Sequence, residues 1–286
     1  MQSIAWHGWR LAVPPTWNPV KVDGDANQGQ ILLADMHAAR LGIRWRKAAR
    51  RGDAQAWAVK TLRQEIGKLA ADEAVPFVMP DNSAWHVSKL YIEPEPPGRD
   101  VWVGWSKTSN RVLEVVYHAP RRESILADLI LPTLSDTPPG QKQAWAIFDL
   151  SCESPANWQL QTYRFNAGDL SLTFRHKRDT AAVRQLAPAT LALARLKLDA
   201  WLGQQTKAIR KLYHPVTGHA DFTLDLPDRS LSGRRGVLNR RRRLFWALTL
   251  PKQVIVLGAE DTSRNRLLLG QGTDETIVRQ LLTTVG

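Results

Sequence analysis

The feature that most constrains the fold of this chain is a parallel between its two halves. Near the N-terminus the sequence reads AWHGWRLAVPPTW, and residues 144–158 read AWAIFDLSCESPANW. In each stretch a short alternating strand leads through proline to a tryptophan, Trp17 or Trp158. At 286 residues the chain also exceeds the usual size of one compact domain. The sequence therefore predicts two domains built from diverged copies of one unit.

A polar stretch separates the two copies. Residues 135–143 read SDTPPGQKQ, a composition rich in proline and glycine that is typical of linkers. We predict a first repeat over residues 1–137, a linker over 138–143 and a second, more basic repeat over 144–286.

The pattern of apolar residues predicts the same element order in both halves. Set against each other without a gap, residues 31–47 and 160–176 both show two alternating strands around a short polar turn. Helical spacing then predicts a mid-domain helix over 54–71 and 189–212, followed by antiparallel strands that include a hairpin of 244–250 with 253–257. A short amphipathic helix ends each half, at 123–134 and 274–285, the latter capped by Thr273 or Asp274. The predicted fold class is α+β, with two tandem antiparallel-sheet domains that each carry a mid-domain and a C-terminal helix.

This element order, introduced by the turns Pro15-Thr16-Trp17 and Pro155-Ala156-Asn157-Trp158, resembles the PsbP-like superfamily. The resemblance covers nearly the whole chain as two copies and implies an α/β sandwich in each. Members of that superfamily are mostly binding and assembly proteins, among them the Eag chaperones of type VI secretion effectors. The resemblance therefore implies a non-enzymatic role, and it carries over no functional residue because no site motif matches.

The positive charge of the chain belongs to its second half. The net charge of +12 divides into +2 for residues 1–140, with 17 basic and 15 acidic residues, and +10 for 141–286, with 22 and 12. Such an asymmetry suggests an acidic partner, whether nucleic acid, a membrane surface or an acidic protein, although solubility alone also explains it.

An arginine cluster is the most conspicuous local feature. Its members, all within ten positions, are Arg234, Arg235, Arg240, Arg241, Arg242 and Arg243. Guanidinium groups bind phosphates and carboxylates bidentately, so the cluster is a candidate anion-binding or partner-binding site. In a strand, alternation would place Arg240 and Arg242 on one face and Arg241 and Arg243 on the other. The alternative is a solvated hairpin edge that charge protects from aggregation.

Other reactive groups form no recognisable site. The seven histidines match no zinc spacing, and the single cysteine, Cys152, reads as a small buried residue, so we predict no catalytic residue, no metal and no cofactor. Without a signal-peptide pattern or a membrane-spanning run, the expected location is cytoplasmic. The preferred function is a non-enzymatic adaptor-like or chaperone-like protein that binds a protein partner. The alternatives are a nucleic-acid-associated protein that uses the basic second domain and an enzyme with a dispersed site.

Overall fold

The computed structural model divides the chain into two compact units, Met1–Phe148 and Asp149–Gly286. It describes all residues except 49–55, 57–59, 61–74, 78–84, 93–98, 107, 119–128, 208–211, 216–218, 242–249 and 285–286.

The first unit is dominated by an antiparallel sheet of seven strands. Its strands, in chain order, are β3 (Asn18–Gly24), β4 (Gln28–Ala34), β5 (Ala39–Lys47), β6 (Val75–Phe77), β7 (Trp85–Ile92), β8 (Arg99–Ser106) and β9 (Arg111–Tyr117). In space their order is β3-β4-β5-β9-β8-β7-β6. The strand β9 lies between β5 and β8, and all seven of its residues are buried. A smaller antiparallel sheet contains β1 (Gln2–Trp6), β2 (Trp9–Val13), β10 (Ser135–Asp136) and β11 (Gln143–Ile147).

The second unit contains an eight-stranded antiparallel sheet and three helices. Its elements are β12 (Leu150–Ser154), β13 (Gln159–Asn166), β14 (Asp169–His176), β15 (Asp179–Leu186), α1 (Ala189–Ala192), α2 (Leu198–Gln205), β16 (Tyr213–Pro215), β17 (Ala220–Asp225), β18 (Ser230–Arg240), β19 (Gln253–Asp261), β20 (Arg266–Gly272) and α3 (Glu275–Thr283). The spatial order is β13-β14-β15-β20-β19-β18-β16, with β17 also paired to β18.

The two large sheets share one topology. In each, three consecutive strands are followed in space by the last strand of that sheet and then by its remaining strands in reverse order. By this order β3 and β4 correspond to β13 and β14. The gap-free alignment of 31–47 with 160–176 is therefore one strand out of step, because it sets β4 and β5 against β13 and β14. Alternation with a period of two is the same in every strand of such a sheet, so it cannot identify which strand is which.

The predicted fold class is wrong. Among the described residues the structure is predominantly β, with three antiparallel sheets, and is not the predicted α+β sandwich with a mid-domain and a C-terminal helix in each domain. The α-helices with described bounds, α1, α2 and α3, belong to the second unit, and in the first unit Ala56, Lys60, Leu129 and Ile130 are also helical among the described residues. The predicted helix over 54–71 lies almost entirely outside the described residues, and the described end of the helix predicted over 123–134 includes a 3₁₀ turn at Leu131–Thr133.

Tertiary packing also changes the mid-domain helix of the second unit. The single helix predicted over 189–212 is two short helices, α1 and α2, and Lys197 before α2 is extended. Ala189 of α1 and Trp201 and Leu202 of α2 are all buried in one apolar cluster with residues of β18, β19 and β20. Because the chain bends between α1 and α2, each short helix packs its buried residues against the sheet, which one continuous straight helix over 189–212 would not do.

The C-terminal helix and a hairpin complete the elements predicted for the second unit. The C-terminal helix is confirmed as α3, and the Asp274 side chain caps it by accepting a hydrogen bond of 2.8 Å from the Thr276 amide. The first strand of the hairpin predicted for 244–250 with 253–257 lies mostly outside the described residues, and the described neighbours of β19 are β18 and β20.

Helices pack on both faces of the second sheet. On one face α2 lies so close to β19 that a Cβ on Gly258 would come within 2.4 Å of Leu202 Cδ2. On the other face α3 approaches β20 equally closely, since a Cβ on Gly270 would lie 2.5 Å from Val278 Cγ1. These two contacts are made with β19 and β20. On the face of the sheet that carries α2, part of the surface formed by β13, β14 and β15 is covered by no helix among the described residues.

Candidate partner-binding face

The structure separates the first two arginines of the predicted cluster. Arg234 and Arg235 are consecutive in β18, so their side chains point to opposite faces of the sheet. On the α2 face Arg234 forms ion pairs with Asp221 and, at 3.4 Å, with Asp199. On the α3 face Arg235 Nη2 donates to Glu275 Oε2 at 2.7 Å. Each guanidinium therefore has an acidic partner inside its own unit.

Glu275 links strand β18 to helix α3. Its two carboxylate oxygens accept hydrogen bonds from Arg235 and, at 3.0 Å, from Arg279 Nε. The hydrogen bond from Arg235 is the main reason that the pKa of Glu275 lies below its usual range. The guanidinium of Arg279 also lies over the ring of Phe222, 5.1 Å from its centroid. These contacts give Arg235 a structural role.

The remaining arginines of the cluster lie at the end of β18 and beyond it. Arg240 Nη1 donates to the Leu250 carbonyl at 2.9 Å, and Arg241 Nε to the Tyr213 carbonyl at 3.4 Å. Arg242 and Arg243 lie outside the described residues. The four described arginines are thus divided between two sheet faces and a strand end, and they do not converge on one ligand position.

A different surface of the second unit is open, polar and basic. Strands β14 and β15 bury Leu172, Phe174 and Val183 on one face. The opposite face is partly exposed, and we define this open face by five residues: Arg164, Ser171, Thr173, Ala182 and Arg184. It lies on the same side of the sheet as α2, whose last residue Gln205 accepts a hydrogen bond of 2.8 Å from Arg184 Nη1.

Arg184 is held in place on the open face by a bidentate ion pair. Its Nε and Nη2 atoms donate to the two oxygens of Asp169 at 2.6 and 2.9 Å. The hydrogen bonds from Arg184 lower the pKa of Asp169, and Arg164 adds a weaker contribution from 3.7 Å. Next to this pair a shallow cavity of about 310 Å³ is lined by hydroxyl, amide and guanidinium groups that include Thr180 and Gln271.

One end of the open face carries cations without acidic partners. Residues 175–178, which end β14 and form the turn to β15, read RHKR, and Arg175, Lys177 and Arg178 are exposed. We call residues 175–178 the basic turn. No described carboxylate forms an ion pair with any of these three cations. The three cations of this run are visible in the sequence, but the sequence alone does not show which of the two basic runs, 175–178 or 234–243, has acidic partners in the fold.

The described part of the chain contains no candidate metal site. No three His, Cys, Asp or Glu residues there lie close enough together to hold a metal ion. Cys152 is buried, and burial raises the pKa of its thiol far above the usual value. None of the described helices is long and apolar enough to cross a bilayer.

Comparisons with known proteins add little to this geometry. No protein-family model and no curated protein sequence matches the chain. A crystal structure of a protein from Bacteroides thetaiotaomicron is similar over 53% of this chain and 54% of its own, with 19% sequence identity and a TM-score of 0.35. The match thus spans about half the length of that protein.

Proposed function

We propose that this chain is a non-enzymatic binding protein that holds an acidic segment of a protein partner on the open face and basic turn of its second unit. The observation that carries this proposal is the contrast between two sets of cations. Arg234 and Arg235 are neutralised inside the fold, whereas Arg175, Lys177 and Arg178 project into solvent with no described acidic partner.

The side chains of the open face suit a polar, acidic partner. Hydroxyl and amide groups beside the clamped Arg184 can exchange hydrogen bonds with a polypeptide, while the net positive charge of this half attracts acidic surfaces. The cavity on the open face is shallow and open, which favours docking of a surface or an extended segment over enclosure of a small molecule.

Nucleic acid is the second candidate, because the second half carries a charge of +10. Sheets that bind single strands stack bases on aromatic side chains. On β13 the aromatic residues Tyr163 and Phe165 pair directly with Leu172 and Leu170, so they lie on the opposite side from the open face. This placement favours a protein partner.

Site-specific photocrosslinking in the native host tests the proposal. A photoreactive residue at Thr173, on the open face, is expected to give a covalent adduct with a protein. The same residue at Ser232, which is exposed elsewhere on β18, is expected to give none. A nuclease-sensitive adduct would establish the nucleic-acid alternative, and no adduct from Thr173 would refute binding at the open face.

A further inference from the structure

The basic turn lies beside a cavity of about 410 Å³ whose lining has many donors and no carboxylate. The lining residues are Asn157, Gln159, Leu160, Gln161, Arg175, His176 and Lys177. Two cations, three amides and an imidazole therefore surround an open space with no acidic side chain to compete for them. This composition is complementary to an oxyanion.

The backbone orients the guanidinium of Arg175. Its Nε donates to the carbonyl oxygen of Lys177 at 2.8 Å, which ties the side chain to the turn. No described residue accepts a hydrogen bond from its Nη atoms, so the outer edge of the fork remains available. A guanidinium fixed through Nε loses less conformational entropy when it binds an anion with its Nη atoms.

Asn157 holds the other side of the cavity. It lies in the turn closed by the Trp158 amide, which donates to the Pro155 carbonyl at 3.0 Å. Its Nδ2 is 3.4 Å from Nε2 of His176, so the turn that precedes β13 contacts the basic turn. The cavity therefore has two walls supported by the backbone and by side-chain contacts.

The corresponding turn of the first unit carries different side chains. This turn between β4 and β5, residues 35–38, reads DMHA, with one carboxylate and no Lys or Arg. The Asp35 carboxylate there accepts hydrogen bonds from the amides of His37 and Ala38. The shared fold evidently does not need cations in this turn.

From these observations we infer that the cavity at the basic turn is an oxyanion subsite, which takes the carboxylate or phosphate of one side chain of the bound partner segment. The inference rests on the proposed function and specifies the chemistry recognised at one end of the open face. Arg175 and Lys177 supply the charge, and Asn157, Gln159 and Gln161 supply neutral hydrogen bonds.

Binding of fluorescent peptides to the purified full-length chain tests the subsite. Three peptides of the form Ser-Val-X-Val-Ser, in which X is Glu, phosphoserine or Gln, share every other feature. We expect the Glu or phosphoserine peptide to bind at least about tenfold more tightly than the Gln peptide, equivalent to about 1.4 kcal/mol. The tighter of the two anionic peptides identifies carboxylate or phosphate as the ligand.

Matched variants assign the effect to the cavity. Arg175→Gln/Lys177→Gln should remove the preference, and Arg195→Gln/Lys197→Gln, which removes the same charge from other exposed positions of the unit, should keep it. Equal affinity for all three peptides, no binding of any, or a preference that survives Arg175→Gln/Lys177→Gln would overturn the inference. If the peptide test fails while Thr173 still crosslinks to a protein, the subsite is refuted and the proposed function stands. If Thr173 gives no crosslink while the peptide preference is observed, the proposed function is refuted and the oxyanion-binding cavity stands.

Discussion

Arg111 and Arg266 occupy the same place in the two units. Each begins the last strand of its sheet, and each follows an asparagine with a positive φ angle, 54° at Asn110 and 48° at Asn265. Both are buried beside a buried aspartate, Asp136 for Arg111 and Asp261 for Arg266. Each also donates through Nη1 to a backbone carbonyl, that of His7 in the first unit and, at 3.4 Å, that of Asp149 in the second.

This arrangement ties the N-terminal part of each unit to the sheet. In the second unit Asp261 Oδ2 accepts from Arg266 Nε at 2.9 Å and from Arg229 Nη2 at 2.6 Å. Burial alone would raise the pKa of Asp261, but the hydrogen bonds from Ser263, Arg229 and Arg266 outweigh it and hold the pKa well below its usual range. The charged pair is therefore stable only as long as both partners are present.

Asp261→Asn should destabilise the second unit by about 3 kcal/mol or more, because it leaves Arg266 buried without its counter-ion. Urea unfolding followed by the amide resonances of β19 and β20 measures the loss. Asp228→Asn is the matched control, since Asp228 is 56% exposed and its removal should cost less than about 1 kcal/mol. Equal losses in the two variants would contradict a dominant role for the buried pair.

His7 should make the stability of the first unit depend on pH. Burial, with a further contribution from Arg111, lowers the pKa of His7 from 6.5 to about 4. The unfolded chain therefore binds the proton more tightly, and the contribution of the neutral imidazole is fully present above pH 6.5 and lost as the pH falls towards 4. The total change is about 3 kcal/mol.

Phe148, which follows β11 as His7 follows β1, supplies the control for this prediction. His7 follows β1 with a φ of 49°, and Phe148 follows β11 with a φ of 54°. His7→Phe therefore places in this turn a side chain that a similar backbone already accepts. The free energy of unfolding of His7→Phe should vary less between pH 4 and 6.5 than that of the parent chain. If NMR shows that the His7 imidazole of the parent chain titrates near pH 6.5, the prediction is wrong.

Leu202 should carry much of the packing between α2 and the sheet. It is fully buried and its methyl group fills the space above Gly258, so Leu202→Ala should cost about 2–5 kcal/mol. Leu191→Ala is the matched control, because Leu191 is 75% exposed and its replacement should cost less than about 0.5 kcal/mol.

Gly258→Ala should be destabilising in the parent chain and less so in Leu202→Ala, which a double-mutant cycle of unfolding free energies would detect.

Arg234 and Arg235 should contribute to stability and not to partner binding. Arg235→Ser should lower the unfolding free energy by about 1 kcal/mol, because Glu275 loses one of its two partners, while the yield of the Thr173 adduct stays unchanged. In contrast, Arg175→Glu/Lys177→Glu should reduce the adduct with little effect on unfolding. A loss of the adduct in Arg235→Ser at full stability would restore the predicted arginine cluster as the binding site.

Local features of this protein follow closely from the sequence. The Asp274 cap and the spacing of apolar residues in α3 predict a helix that the structure contains, since both depend on residues within a few positions. Alternation also predicts the hairpin partners β4 with β5 and β13 with β14, whose short polar turns bring neighbouring strands together.

What the sequence by itself determined is therefore the presence and period of its strands, its final helix and the excess of positive charge in the second half. Only the tertiary structure decided which strands are neighbours in each sheet, where the predicted mid-domain helix breaks, and which cations are neutralised by the fold. The physical reason is that these outcomes depend on groups far apart in the chain. Glu275 meets Arg235 across 40 positions, whereas the equally basic residues 175–178 have no such partner among the described carboxylates.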